Sequence, residues 1–490
     1  MMRSLYSGIS GLSVNQTKMD VIGNNIANVN TVGFKASRAA FADVFYQTIQ
    51  SASGPNESTG AAGQNAMQIG LGSKLSSIVS SPTKTGGSQR TDNPFDLMIS
   101  GDSFFIVNQG GTNYFSKAGD FKVDGDGTLC TSSGGTVMGW QVDPKDPTRT
   151  VADMVSPLKL MAPQNLYSDP EATTKAYLAG NIDQKDTQLA LNGSGKMVTV
   201  SFYDKLGQPY TATFKILHAA DSSTPPVAID NQYSVQLVDV VDSQKNSILV
   251  TKKVDAAGTV TYSKSGLGTI KVGAVDLSGY TVDATTGAIT YPTGTPNLLT
   301  FNGATGKFVG IGDATSTNKS ISLQLGATAA TNHFSDVSMD FSSLTQFGGS
   351  GSTTAAGNIG GVDGSGKGRK AGKMEGLSVD TNGKIYGSYD NGDNRLLGQI
   401  AVASFSNPAG LEAKGGNLYA ETQNSGKFDG IGHDVSSDGG KFMPGVLEMS
   451  NVDLASEFTE MITTQRGFQA SSRIITTSDT LLEELINLKR

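Results

Sequence analysis

The chain has one cysteine, one tryptophan and three histidines among its 490 residues. Cys130 therefore has no partner for an internal disulfide, and the fold is expected to stand without covalent staples in any compartment. His218, His333 and His433 are scattered singly, with no HExxH and no CxxC, so the ligand spacing of a zinc site is missing. No run of eighteen apolar residues occurs, and no transmembrane helix is expected. The first residues also lack the apolar stretch of a signal peptide, because Ser4, Ser7, Ser10, Ser13, Asn15 and Gln16 interrupt it. The expectation is a protein that stays in the cytoplasm or is exported by a dedicated route without a cleaved Sec signal.

Charge is scarce as well: 17% of residues are charged, with a net charge of −7 and a pI near 5.1. Phosphate binding needs a concentrated basic face, so nucleic acid is not an expected partner. The densest basic cluster, Lys367, Arg369, Lys370 and Lys373, lies in a Gly-rich stretch and reads as solvated linker. Asp124 and Asp126 before Gly127 hint at a calcium loop, but Thr131, twelfth from Asp120, supplies no closing acid, and a hairpin turn is the better reading. Gly361, Gly366 and Lys367 match GxxxxGK, yet Gly368 stands where the Mg²⁺-binding hydroxyl belongs. No Ser-His-Asp or Cys-His set is suggested. The chain is therefore expected to be neither an enzyme nor a metalloprotein, and to carry no cofactor.

What is present is length, glycine and two long periodic ends. At this length a single core stops growing, and two to four domains are expected. Sixty-one glycines, with Ser, Thr, Asn and Asp between short apolar runs, indicate a β-rich, turn-rich body. Leu5, Ile9, Leu12, Met19, Ile22 and Ile26 form one apolar stripe on a helix spanning Ser4 to Asn28, with Gln16 in the gap. At the other end Leu454, Phe458, Met461, Gln465, Phe468, Ser472, Ile475, Asp479, Leu482 and Ile486 alternate four and three apart, a heptad-like seam. A second stripe, Ile474, Leu481, Leu485 and Leu488, runs beside it, so this helix needs neighbours on more than one side. Ser450 with Asp453 resembles a capping box at its start. Isolated amphipathic helices are marginal in water, so both ends are expected to order on association.

Between the helices, residues 51–66 read as a linker, and strands and hairpins follow. Gly-containing turns recur at Val123 to Leu129, Val254 to Val260, Val282 to Ile289 and Val379 to Ile385. Val198, Val200 and Phe202, answered by Tyr210, Ala212, Phe214 and Ile216, predict a hairpin with one buried face. Phe347 to Gly372 is a second Gly-rich stretch. The expected fold is mainly β with α-helical termini, a discontinuous multi-domain chain. Terminal helices at 1–30 and 450–490 would form a coiled coil, and 31–70 a linking and bracing segment. Residues 71–145 and 346–449 would form a discontinuous inner β domain, and 146–345 one or two inserted outer β domains.

The stretch Gly23 to Lys35 resembles the N-terminal signature of bacterial flagellar rod and hook proteins, carried by Asn24, Asn25, Asn28, Asn30, Thr31, Gly33 and Phe34. Asn451-Val452-Asp453-Leu454, with Met461, Gln465, Arg466 and Phe468, resembles the matching C-terminal helix. Asn93 to Gly101 with Phe104 and Phe105 resembles the first strand of the family's β domain, with Met98 and Ser103 where the family has Ala and Gly. The long insertion 146–345 and the segments Val198 to Phe214 and Leu396 to Leu411 resemble hook subunits more than the shorter rod subunits. The resemblance implies a structural subunit of the flagellum's hook at the cell surface. It would be exported through the type III apparatus and polymerise into a flexible helical tube, a universal joint that carries torque from rod to filament. Its partners would be copies of itself, the rod, the hook cap, the hook–filament junction proteins and the export apparatus, without membrane insertion. The polymer interface would be the terminal stripes. A distal-rod or junction subunit is the nearest alternative. A secreted β-rich adhesin or carbohydrate-active enzyme is a more distant one, for which Trp140 alone offers little sugar stacking.

Overall fold

The computed structural model describes every residue except 1, 56–59, 61, 144, 222, 224–225, 256–258, 293–296, 313–315, 327–332 and 489–490. Part of the 51–66 segment and the centre of the turn from Val254 to Val260 thus lie outside the described residues. The architecture is mainly β with a helix at each terminus, as the composition and the two periodic ends predict.

The chain divides into two compact units. One comprises Met1–Leu166, Glu375–Ser388 and Asn394–Arg490, and carries both long helices. The other comprises Tyr167–Met374 with Tyr389–Asp393.

In the helical unit, α1 spans Met2–Ala27 and α2 spans Leu454–Asn487. At 34 residues, α2 is about 51 Å long. Its N-cap is Asp453, whose side chain accepts from the backbone N–H of Ala455 and Ser456. This corrects the expected capping box from Ser450: that hydroxyl instead accepts from Val452 N–H, one turn too early to cap. After α1 the chain enters a β-ribbon. Ser37–Asp43 pairs antiparallel with Ser73–Ser80, and farther out Tyr46–Gln50 pairs with Met67–Gly70. The 51–66 segment joins the outer two strands of this ribbon.

The body of this unit is a sheet in which Phe104–Gln109, Thr112–Ser116, Thr136–Asp143, Asn394–Ile400 and Leu418–Ala420 are the principal strands. Phe104, Phe105, Ile106 and Val107 are all fully buried, so this strand is covered on both faces and shows no polar alternation. Phe104, Phe115 and Phe405 meet edge-on around Trp140 and Tyr419. The segment Leu97–Ser100 pairs with Lys441–Pro444, which stacks Phe442 on Phe105.

The second unit packs a five-stranded sheet and a six-stranded sheet around one core. The first sheet runs in the order Lys196–Tyr203, Pro209–Ala220, Ala228–Asp242, Asn297–Phe301 and Phe308–Ile311. The hairpin predicted from alternation is there: Val198 faces Phe214, Val200 faces Ala212 and Phe202 faces Tyr210. Asp204 closes its turn by accepting from Leu206 N–H and Gln208 N–H, and Gly207 takes the left-handed φ of +77° the turn requires. In the six-stranded sheet, Lys175–Asn181 and Val337–Thr345 run parallel.

The Gly-rich stretch and its basic cluster are both held in place by named partners. Ala356–Ile359 is a strand on the edge of Lys175–Asn181, and Asp183 accepts from Gly349 N–H and Gly351 N–H. The Lys185 N–H, with those of Gly349 and Gly351, holds the Asp183 carboxyl below the usual range. The basic cluster is not a free linker either: Arg369 pairs with Asp393 at 2.5 Å and Glu171 at 3.3 Å, and Lys370 with Asp390 at 3.1 Å. Composition reported loose chain because glycine is used here to bring backbone close to carboxylates.

Candidate assembly site

The helices α1 and α2 pack antiparallel. Gly8 lies against Ile475 and Ser471, Gly11 against Ser471, and Asn15 against Gly467. Lys18 then pairs with Glu460 at 3.1 Å, and Asn25 donates to Glu457 Oε1 at 3.0 Å. The face of α1 turned to α2 is thus Gly8, Gly11, Asn15, Lys18, Ile22 and Asn25, spaced three and four apart. A Cβ on Gly8 would lie 3.3 Å from Ile475 Cγ1, and one on Gly11 would lie 2.9 Å from Ser471 Oγ, so small residues set how closely the helices approach. On α2 the fully buried positions are Thr464 and Ser478. Thr464 Oγ1 donates to Glu460 O and Ser471 Oγ to Gly467 O, which satisfies these hydroxyls within the helix.

A second face of α1 meets the root of the ribbon. Ser10 Oγ accepts from Ser73 N–H, Gly72 packs on Ser7 and Ser10, and Val14 is buried. The sequence stripe lies elsewhere: at 100° per residue, Leu5, Ile9, Leu12 and Met19 are turned roughly 110° from the centre of the α2-facing side. Ile9 is 48% exposed, while Leu5, Leu12, Met19 and Ile26 are half-buried and only Ile22 is fully buried. On α2, Met461, Phe468, Ile475 and Leu482 are half-buried, whereas Leu454, Phe458 and Ile486 are exposed, Phe458 by 50%. Gln465 and Asp479 are exposed and Ser472 is half-buried. The second stripe, Ile474, Leu481, Leu485 and Leu488, is exposed throughout. Apart from Ile22 and Ile475, the groups along the seam of the helix pair are small or polar, while Ile9, Phe458, Ile474 and Leu481 are exposed on its outside.

The signature residues form the joint where α1 becomes strand. Asn25 is 2% exposed and clamps Ser37 from both sides, its Nδ2 donating to Ser37 O at 2.9 Å and its Oδ1 accepting from Ser37 N–H at 3.0 Å. Asn28 Nδ2 bonds both the carbonyl and the side chain of Asn24, and Thr31 Oγ1 donates to Asn28 Oδ1. Asn30 is exposed and Phe34 half-buried. Gly33 has φ +70°, and a Cβ there would sit 2.6 Å from Ala118 N, so only glycine fits. From the other end of the chain, Asn451 Oδ1 accepts from Ala36 N–H at 2.7 Å, and its Nδ2 reaches Lys84 O.

Lys35, which closes the signature, was not among the sequence-predicted site residues. Its ammonium is fully buried, 2.7 Å from the fully buried Glu448 carboxylate and 2.9 Å from Lys84 O. Periodicity carries no trace of such a pair; only its place at the end of the signature could have drawn attention to it. Beside it, burial together with the Lys35 charge pushes the Lys117 ammonium down to about 8. Burial also raises the Glu457 carboxyl at the fork of the helices.

One group outside the joint has the parts of a catalytic set. Ser103 Oγ and His433 Nε2 both bond Asp438 Oδ2, at 2.9 and 2.6 Å. In this arrangement the carboxylate sits between hydroxyl and imidazole, so the histidine does not take the hydroxyl proton as a triad requires. Among the described residues no cluster of three metal-ligating side chains occurs, and no helix is long and apolar enough to cross a membrane.

Residues 5–35 match the family described as flagella basal body rod protein, and residues 443–488 match the C-terminal region of flagellar basal body rod FlgEFG proteins. Residues 98–175 match the D1 domain of flagellar hook protein FlgE/F/G. Over its full length the chain is 35% identical to flagellar hook protein FlgE of Borreliella burgdorferi, covering all of both chains. The chain belongs to the flagellar hook protein family. Hook proteins of Treponema pallidum and Salmonella typhimurium are 34% and 30% identical, covering 100% and 99% of this chain and all of their own. This hook-family chain is a structural component of the flagellum; a flagellar basal-body rod protein FlgG of Bacillus subtilis also matches over the full length of both chains, but at 27% identity, and the higher identity to hook proteins favours the hook over a rod position. The first two matched stretches end on Lys35 and contain Glu448, so they cover the two helices together with the joint between them.

Proposed function

We propose that the outward apolar faces of α1 and α2 are the polymer interface of the hook, and that covering them with neighbouring helix pairs drives assembly of a helical tube. The carrying observation is the inversion within the helix pair: Ile9, Phe458, Ile474 and Leu481 are exposed while Gly8, Gly11 and Ser478 face inward. Each large apolar side chain contributes about 1.5–3 kcal/mol when fully covered, so several per subunit suffice for a stable lattice. A head-to-tail contact that does not close on itself gives an open filament.

In this reading residues 1–30 and 450–490 form the inner tube, 31–70 brace neighbouring subunits, the β strands of the helical unit form the inner layer and the second unit the outer, which moves the expected bounds of the insertion from 146 and 345 to 167 and 374. Bending arises from sliding between outer layers while the helical contacts hold, and torque passes from rod to filament. The partners are copies of the chain, the rod, the hook cap, the hook–filament junction proteins and the type III apparatus that exports the unfolded chain. Support comes from the family membership and the exposed stripes. Ile9→Glu combined with Phe458→Glu should leave a folded monomer and abolish polymers in sedimentation and electron microscopy. Polymers of normal yield from this variant would overturn the reading.

A further inference from the structure

The helical unit is assembled from three stretches of chain, and a fully buried ion pair joins the first of them to the last. Lys35 and Glu448 are 413 residues apart and both are removed from water. The segment around Glu448 does more than supply one carboxylate. Its backbone carbonyl accepts from Gly33 N–H at 2.8 Å, and its Oε1 also accepts from Gly86 N–H at 2.9 Å. Val446–Glu448 pairs with Ser88–Arg90, and Met449 N–H bonds Gly87 O. Without this segment Lys35 would keep a buried ammonium with only a carbonyl for company, beside the equally buried Lys117. A buried charge that loses its partner is among the most costly defects a fold can hold. The other unit has no such dependence: its core residues all fall between Ala176 and Ala355.

We infer that the Lys35–Glu448 pair is a closure latch that makes completion of the helical unit contingent on arrival of the C-terminal segment, while the second unit folds without either end of the chain. A subunit delivered from its N-terminus would then hold a finished second unit and an open joint until its last residues arrive. The latch is a property of the folded chain, so its test does not read out assembly and stands or falls apart from the polymer interface.

The test is a double-mutant cycle in the full-length chain with Lys35→Met, Glu448→Leu and both together. Trp140, the chain's one tryptophan and nearly buried in the helical unit, reports that unit, and amide exchange along Lys196–Tyr203 reports the other. Each single substitution should move the Trp140 urea transition to lower urea and speed exchange at 33–36 by roughly 100-fold or more. Exchange along Lys196–Tyr203 should not change, and the double variant should recover most of the loss. If a single variant leaves the helical unit unfolded with the second unit intact, recovery in the double variant still decides the question. Additive losses in the double variant, or equal loosening of both units, would overturn the latch.

Discussion

The second unit and the helix pair use opposite packing rules on one chain. In the second unit Phe214, Leu323, Met339 and Phe341 are all buried, and along Lys196–Tyr203 the polar Thr199 and Ser201 alternate outward with buried Val198, Val200 and Phe202. In the helix pair glycine, serine, threonine and asparagine point in, and Ile9, Phe458 and Leu481 point out. The first arrangement is complete as a monomer. The second, on the proposed reading, is half of an interface, since apolar surface left in water is stabilised only when something covers it.

The contrast can be broken most directly by truncating equivalent apolar groups. Phe214→Ala should cost about 3–5 kcal/mol of monomer stability, because it leaves a cavity in a closed core. Ile9→Ala should cost less than about 0.5 kcal/mol in the monomer and act on polymer yield instead. Urea denaturation followed by amide exchange in each unit separates the two, and a large monomer effect from Ile9→Ala would erase the distinction.

A smaller but still clear effect is expected at the seam. Gly11→Leu places a side chain where Ser471 Oγ allows no room, and overpacking of this kind typically costs about 1–3 kcal/mol. Exchange should quicken along both helices and stay unchanged in the second unit.

The acid response should differ between the two regions. Asp183 is held below the usual carboxylate range by the backbone donors Lys185 and Gly349, so it stabilises the second unit above the ordinary carboxylate pKa. That contribution is lost as pH falls through its lowered folded value. Asp183→Asn should therefore flatten the acid limb of the second unit's stability profile. Glu457 has the opposite sign: burial raises it, so its contribution is present at low pH and lost as pH rises through the folded value. Glu457→Gln keeps an acceptor for Asn25 and should slightly strengthen the helix pair at neutral pH, a small upward shift in helix melting by circular dichroism.

Much of the fold could be read from residue spacing. The period of 3.6 marked both helices to within about four residues, and strict alternation marked the hairpin from Lys196 to Ala220. The side of α1 that meets α2 could not be read in this way. Close helix approach selects small residues, and Gly8, Gly11 and Asn15 leave no hydrophobic signal. The ordering of Gly349 to Gly351 could not be read either, because composition does not register that Asp183 binds these amides. Lys35 resembled any surface lysine, since what buries it lies at the far end of the chain.

The outward orientation of the apolar stripe is tested most directly by thiol labelling in a Cys130→Ser background. Ile9→Cys should react freely in the monomer and become protected in the polymer, while Ile22→Cys, at a position 2% exposed, should be protected in both. If Ile9→Cys stays equally reactive after polymerisation, the stripe is not the surface through which the subunits join.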